Sequence, residues 1–176
     1  MEILRTLSLS SEARNMPFLL IGGHAVNAYG IQRQTGDIDL IVRKAQREEW
    51  QALFEKIRYT ADQSDDRFIR YRPDTIAAWP IDLMLVDDET FSKLRTDAHS
   101  IDLGMVTVNV VSPRHLVTLK LHALKVYQEH RHARDYTDVV QLLRHVCTEL
   151  RDDDLRSLCV RYANESLYEK LSKDIG

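Results

Sequence analysis

Apolar positions follow two different rhythms in the two halves of the chain. Up to about Val111, short runs rich in β-branched and aliphatic residues predict strands at 17–21, 37–42, 67–72, 81–86 and 105–111, and a long helix over 46–57. That pattern reads as a mixed sheet with helices against it. From Ser112 onward the two-residue alternation stops, and Leu116, Leu119, Leu121 and Leu124, then Val139, Val140, Leu142 and Leu143, recur at helical spacing. Three or four helices are expected there. Ser112-Pro113 suits the start of the first, because a serine can cap an orphan N–H and proline at the first helical position gives up none that was paired. The expected fold is α+β: a core over 1–111 and a helical bundle over 112–176 packed on it within one compact domain.

The most informative stretch runs from Leu19-Leu20-Ile21-Gly22-Gly23-His24 to Arg33-Gln34-Thr35-Gly36-Asp37-Ile38-Asp39-Leu40. It reads as strand, Gly-Gly turn, short helix, loop and strand. Two glycines ahead of a helix let the backbone approach a ligand closely, and free N–H groups at the helix start favour an anion such as a phosphate. Gly22 and Gly23 are therefore candidate phosphate contacts. In the next strand, alternation places Asp37, Asp39 and Ile41 on one face and turns Ile38, Leu40 and Val42 to the core. Asp82 repeats the arrangement inside the apolar run Ile81-Asp82-Leu83, and a carboxylate in a buried strand needs a partner.

A divalent cation would serve all three aspartates, since Mg²⁺ prefers a few carboxylate oxygens together with water and substrate phosphates. Mn²⁺ fits the same donors, and three carboxylates suit two ions that activate a hydroxyl and stabilise leaving pyrophosphate. Spacing alone proves little: with 27 acidic residues in 176, an acid-any-acid triplet is expected about four times by chance. Asp152-Asp153-Asp154 also has it. What is rare is the whole series of apolar strand, Gly-Gly, short helix, Arg-x-Thr-x-Asp-x-Asp and a later strand aspartate.

Composition narrows the setting. A chain of 176 residues with 44% hydrophobic content can bury a core and still afford a cleft. The net charge of −3 excludes a uniformly basic coat, so any nucleic acid must meet a local patch. Lys125, His130, Arg131, His132 and Arg134 are candidates for that patch, a solvated loop being the alternative. Cys147 and Cys159 offer neither a disulfide framework nor metal-ligand spacing, and no apolar run is long enough to span a bilayer. A soluble protein of the reducing cytoplasm, without a membrane partner, is expected.

Gly22-Gly23 through Asp37-Ile38-Asp39 resembles the nucleotidyltransferase superfamily of DNA polymerase β type, and most nearly its AbiEii-like branch of abortive-infection toxins. The segments Leu119-Lys120-Leu121-His122 and Arg134-Asp135-Tyr136-Thr137-Asp138 resemble the downstream helical signature of that branch, a lysine followed by an Arg/Lys-Asp pair. The resemblance implies a minimal nucleotidyltransferase fold and metal binding by Asp37 and Asp39, completed by Asp82. It further implies phosphate contact at Gly22-Gly23 and nucleotide or active-site support from Lys120 and Asp135. Read without it, Lys120 is a snorkelling helix residue, and Asp135 and Asp138 are charges at a helix start that opens near Arg134. Arg33 binds a triphosphate or pairs with an aspartate, and Thr35 contacts nucleotide or shapes its turn. None of the seven histidines enters the catalytic set. His24 stands where other branches carry a serine.

Three functions compete. In the first, a toxin of a toxin–antitoxin or phage-defence pair transfers a nucleoside monophosphate from an NTP to an RNA acceptor such as tRNA, with a cognate antitoxin protein as its partner. In the second, the acceptor is a small molecule such as an aminoglycoside or a lincosamide. The third is a module that binds nucleotide or a partner protein without turnover, against which the retention of all three aspartates counts.

Overall fold

The computed structural model describes residues 2–125 and 129–175, without the side chains of 129–131. The chain divides into two compact units, Met1–Ser112 and Pro113–Gly176. In the first, chain order is α1 (Glu2–Arg14), β1 (Phe18–Ile21), α2 (Gly22–Ala28), β2 (Ile38–Arg43), α3 (Arg47–Lys56), β3 (Tyr59–Ser64), β4 (Phe68–Pro73), β5 (Ile81–Val86), α4 (Asp88–Thr96), β6 (His99–Asp102) and β7 (Thr107–Val110). The seven strands form one sheet in the order β3-β4-β5-β2-β1-β7-β6. It is mixed, with β1 parallel to β7, β2 parallel to β5 and the other neighbours antiparallel.

Aromatic packing holds one face of this sheet. Trp50 and Phe54 from α3 are fully buried; Phe54 stacks on Tyr71 of β4 at 4.3 Å, and Trp50 meets the edge of Phe18 at 6.2 Å. Such pairs add about 0.5–1.5 kcal/mol each beyond the area they bury. Tyr71 and Ile69 are buried while Arg70 between them is not, so strand alternation turns Arg70 to the opposite face. β2, central in the sheet, has no exposed residue. Ile41, expected on the cleft face beside the aspartates, is instead fully buried, because that face is open only at the start of the strand and is covered farther along, where α4 meets β2.

Four elements of this unit lie outside the strands and helix expected from the sequence. β3 and β6 are the two edge strands; β3 buries only Tyr59 and β6 buries nothing, so neither shows the apolar alternation that marks a strand. They exist by pairing with a neighbour. α1 buries only Leu4, Leu7 and Ser11 from a serine-rich segment. α4 starts on an Asp87 cap, whose carboxylate accepts the Thr90 N–H at 2.7 Å, and it buries Phe91 and Leu94.

The second unit has four helices among the described residues: α5 (Pro113–Lys125), α6 (Glu129–His145), α7 (Asp152–Tyr162) and α8 (Glu165–Ile175). α5 packs on α6 and α7, and α8 on α6 and α7. Asn164 caps α8 by accepting the Leu167 N–H at 2.8 Å. The Tyr136 hydroxyl donates to Asp174 at 2.6 Å, tying α6 to α8. α6 starts at Glu129, so Arg134 and Asp135 lie inside it and the helix-start reading of Asp135 and Asp138 fails. Among the described residues no helix is long and apolar enough to cross a membrane.

Candidate active site

Strand register builds the site. Asp39 of β2 sits opposite Ile21 of β1 and beside Asp82 of β5, and Asp82 in turn sits opposite Arg70 of β4. Cross-strand neighbours share a face, so Ile21, Asp39, Asp82 and Arg70 form one row across four adjacent strands. Asp37, two residues before Asp39, points to the same side at the entry to β2. Carboxylate oxygens of Asp37, Asp39 and Asp82 lie within 4.8 Å of one another.

The glycine pair makes room for this row. Gly22 and Gly23 form the first turn of α2 itself, after Ile21, which gives no side-chain cap. Gly22 has φ +64°, a conformation L side chains rarely adopt, and a Cβ there would lie 1.9 Å from Asp39 Oδ2. A Cβ on Gly23 would lie 2.5 Å from Thr35 Oγ1 and 2.8 Å from Arg33 Nη2. The missing side chains let Asp39, Thr35 and Arg33 close over the helix start. The Thr35 hydroxyl donates to Asp37 Oδ1 at 3.1 Å and fixes that carboxylate.

Asn27 holds the loop between these elements. Its Oδ1 accepts the Arg33 N–H at 2.9 Å, and its Nδ2 donates to the Arg33 carbonyl at 3.1 Å. A side-chain amide is suited to satisfying both backbone groups of one residue. Asn27 stood inside the motif-bearing stretch, but nothing in its spacing pointed to that role.

Arg70 was not among the expected site residues. Its Nε donates to Asp82 Oδ1 at 2.7 Å and its Nη2 to Asp82 Oδ2 at 2.6 Å, a two-pronged pair, while Nη2 lies 3.7 Å from Asp37 Oδ2. The buried Asp82 therefore has an arginine as its partner. The hydrogen bond to Asp82 is the main cause holding the guanidinium pKa above its ordinary value; desolvation opposes it, and the fields of Asp82, Asp37 and Asp39 add to it.

His24 is buried in α2, its ring 4.8 Å from that of Trp79, and its Nε2 has no hydrogen-bond partner. Burial pushes its pKa below the ordinary histidine value; the Arg33 charge pushes the same way and Asp37 opposes. Burial also pushes both thiols up, Cys147 and Cys159 to about 11, so neither is a nucleophile at neutral pH.

In the helical unit, Lys120 is buried, and its Nζ meets Asp135 Oδ1 and Asp138 Oδ2 at 2.7 Å each. The snorkelling reading of Lys120 thus fails, and Asp138 joins Asp135 as its partner. Of the proposed basic patch, Lys125 and Arg134 are exposed and His132 is half-buried; the side chains of His130 and Arg131 lie outside the described residues.

The Asp37, Asp39 and Asp82 group fits a hard divalent cation: its three donors are carboxylate oxygens, close together on the start of two neighbouring parallel strands. Like charges this near repel unless a cation stands among them.

The fold recurs in solved structures. A solution structure of the antibiotic-resistance factor ANT(2″)-Ia is 18% identical, with 98% of this chain and 94% of that one covered at a TM-score of 0.67. An antigenic nucleotidyltransferase-like protein from Paracoccidioides brasiliensis is 13% identical over 99% and 90% at 0.62. The lincosamide antibiotic adenylyltransferase LnuA, with lincomycin bound, is 16% identical over 80% and 94% at 0.59. Among curated proteins, none matches this chain in sequence. The model of one family, the nucleotidyl transferase AbiEii toxin of type IV toxin–antitoxin systems, matches residues 2–171, and the chain belongs to that family.

Proposed function

We propose that this protein transfers a nucleoside monophosphate from an NTP to an acceptor hydroxyl and releases pyrophosphate. The observation that carries this reading is the convergence of the Asp37, Asp39 and Asp82 carboxylates within 4.8 Å at the mouth of a nucleotidyltransferase sheet. Those three residues would hold Mg²⁺ or Mn²⁺, which when bound supplies charge neutralisation for the phosphates and lowers the pKa of the attacking hydroxyl. In the transfer, a bond forms between the acceptor oxygen and the α-phosphorus, and the bond from the α-phosphorus to the bridging oxygen of pyrophosphate breaks. The acceptor's proton leaves to a carboxylate of the cluster. Thr35 keeps Asp37 oriented, Asn27 keeps the Arg33 loop in place, and Gly22-Gly23 with Arg33 receive the phosphates. The family resemblance assigns Lys120 and Asp135 to nucleotide or active-site support, and Lys120, buried between Asp135 and Asp138, would give that support by tying α5 to α6 and not by meeting the nucleotide itself.

Membership of a toxin–antitoxin family supports a cognate antitoxin, and an RNA acceptor such as tRNA and a cytoplasmic setting are proposed with it. The decisive test incubates the protein and Mg²⁺ with each labelled NTP in turn and total cellular RNA. A labelled band of tRNA size, lost in Asp39→Ala, is the expected result. The fold shared with ANT(2″)-Ia and LnuA makes a small hydroxylated acceptor the second reading. Labelled aminoglycoside or lincosamide with unlabelled RNA would favour it, and no labelling with any NTP would leave a binding module.

A further inference from the structure

We propose that Arg70 is a resident counter-cation that holds the metal-free site against divalent ions, and that a metal ion enters the carboxylate cluster only by displacing its guanidinium from Asp82. The inference rests on the metal-dependent reading above. Arg70 engages both oxygens of Asp82, at 2.7 and 2.6 Å, and reaches toward Asp37 at 3.7 Å. It therefore lies along the side of the cluster that Asp37 and Asp82 define, where the three sets of oxygens come within 4.8 Å. A planar fork on a carboxylate is a strong and oriented pair. The Asp82 side chain is only 5% exposed, so solvent does little to weaken it, whereas Arg70 at 23% has an outlet to solvent. Each Asp82 oxygen keeps a second lone pair beside the fork, but an ion that took it would stand next to a fixed positive charge, and that repulsion opens the fork. A phosphate is the anion best matched to a released guanidinium, so nucleotide is expected to ease metal entry by giving Arg70 a second partner.

This makes Arg70 a positioning residue with an unusual signature: its loss tightens metal binding. The test measures Mn²⁺ affinity by electron paramagnetic resonance, without nucleotide, for wild type, Arg70→Gln and Arg70→Lys. Arg70→Gln should bind Mn²⁺ at least about tenfold more tightly than wild type, with Arg70→Lys between, because lysine keeps the charge and loses the fork. Thermal melts guard against misfolding: Arg70→Gln leaves Asp82 buried without its partner, so Mn²⁺ should raise its Tm more than it raises that of wild type. A structural role alone would lower or preserve metal affinity, and either result in a folded variant overturns the proposal. So would tightening that survives in Arg70→Gln/Asp37→Asn, since the ion would then sit elsewhere. No acceptor or NTP enters these measurements, so failure to find a transfer reaction and failure of this inference are separate outcomes.

Discussion

The sheet and the helical unit each place a cation among aspartates, and they do so in opposite ways. At the sheet, three carboxylates open at the start of two parallel strands, and the fork of Arg70 is committed to one of them, Asp82. In the helical unit, one lysine lies between two carboxylates at equal distance, all three side chains being largely buried at 8%, 17% and 4% exposed. The first cluster holds acidic oxygens beyond those the Arg70 fork engages, and that fork has an outlet to solvent. The second sets its lysine between both of its carboxylates. Acidic residues alone do not separate an open site from a buried ion pair; access to solvent does.

The largest effect expected is on activity at the sheet. Asp39→Ala should lower transfer on the order of 10³-fold, since it removes a charge that stabilises the transition state through whatever cation the cluster holds. Its circular dichroism should match that of wild type, because Asp39 sits on the half-buried side of β2 and not among its apolar contacts. Transfer near the wild-type rate by the folded variant would break the contrast by making the sheet cluster merely structural. Lys120→Met should do the reverse first. It removes the lysine from between Asp135 and Asp138, and breaking a buried pair costs about 3–5 kcal/mol. Chemical denaturation measures it; a loss below about 1 kcal/mol would mean the triad is not closed in solution.

Gly22→Ala is smaller and tests how the site is made room for. The left-handed conformation at φ +64° costs a non-glycine residue roughly 1–3 kcal/mol. The new methyl would also meet Asp39 Oδ2 at 1.9 Å and push that carboxylate out of the row. Lower stability together with lost activity is expected, whereas Gly30→Ala, at a glycine of similar φ (+86°) but with open space around it, should lose stability alone. Equal activity losses in the two variants, measured in the labelling assay, would show that the crowding at Gly22 does not matter.

These contrasts also mark what the sequence could disclose. Asp37, Asp39 and Asp82 were legible because each interrupts or opens an apolar strand, where a carboxylate has no structural reason to be. Arg70 was not, although its strand was expected: its role depends on β4 pairing with β5 in the register that sets Arg70 against Asp82, and pairing is a long-range fact. A demand for charge balance among three clustered carboxylates was the one available hint. β3 and β6 escaped notice for a related reason, since an edge strand that buries little carries no alternation. Lys120 and Asp135 were singled out only through family resemblance. Helical spacing placed Lys120 on a helix and gave no sign that two aspartates of α6 would enclose it.

The smallest effect separates a polar group left without a partner from the satisfied triad. His24 is buried against Trp79 with Nε2 unbonded, and its pKa is lowered chiefly by that burial. Above the ordinary histidine value of 6.5, His24 is neutral in both folded and unfolded chains and costs nothing. As pH falls below that value the unfolded chain takes up a proton that the folded one refuses, so stability declines until the lowered folded pKa is reached and then levels off. His24→Gln removes the titrating ring and should flatten this part of the profile. The N-terminal charge and Arg33 lower the His24 pKa further, and Asp37 raises it. The measurement is Tm at about pH 7.5, 6.5 and 5.5 for both proteins. A wild-type curve that falls with pH while the variant's stays level is the expected outcome. Parallel curves would mean that His24 keeps its proton in the fold, and its ring would then have to donate to a partner that the present geometry does not give it.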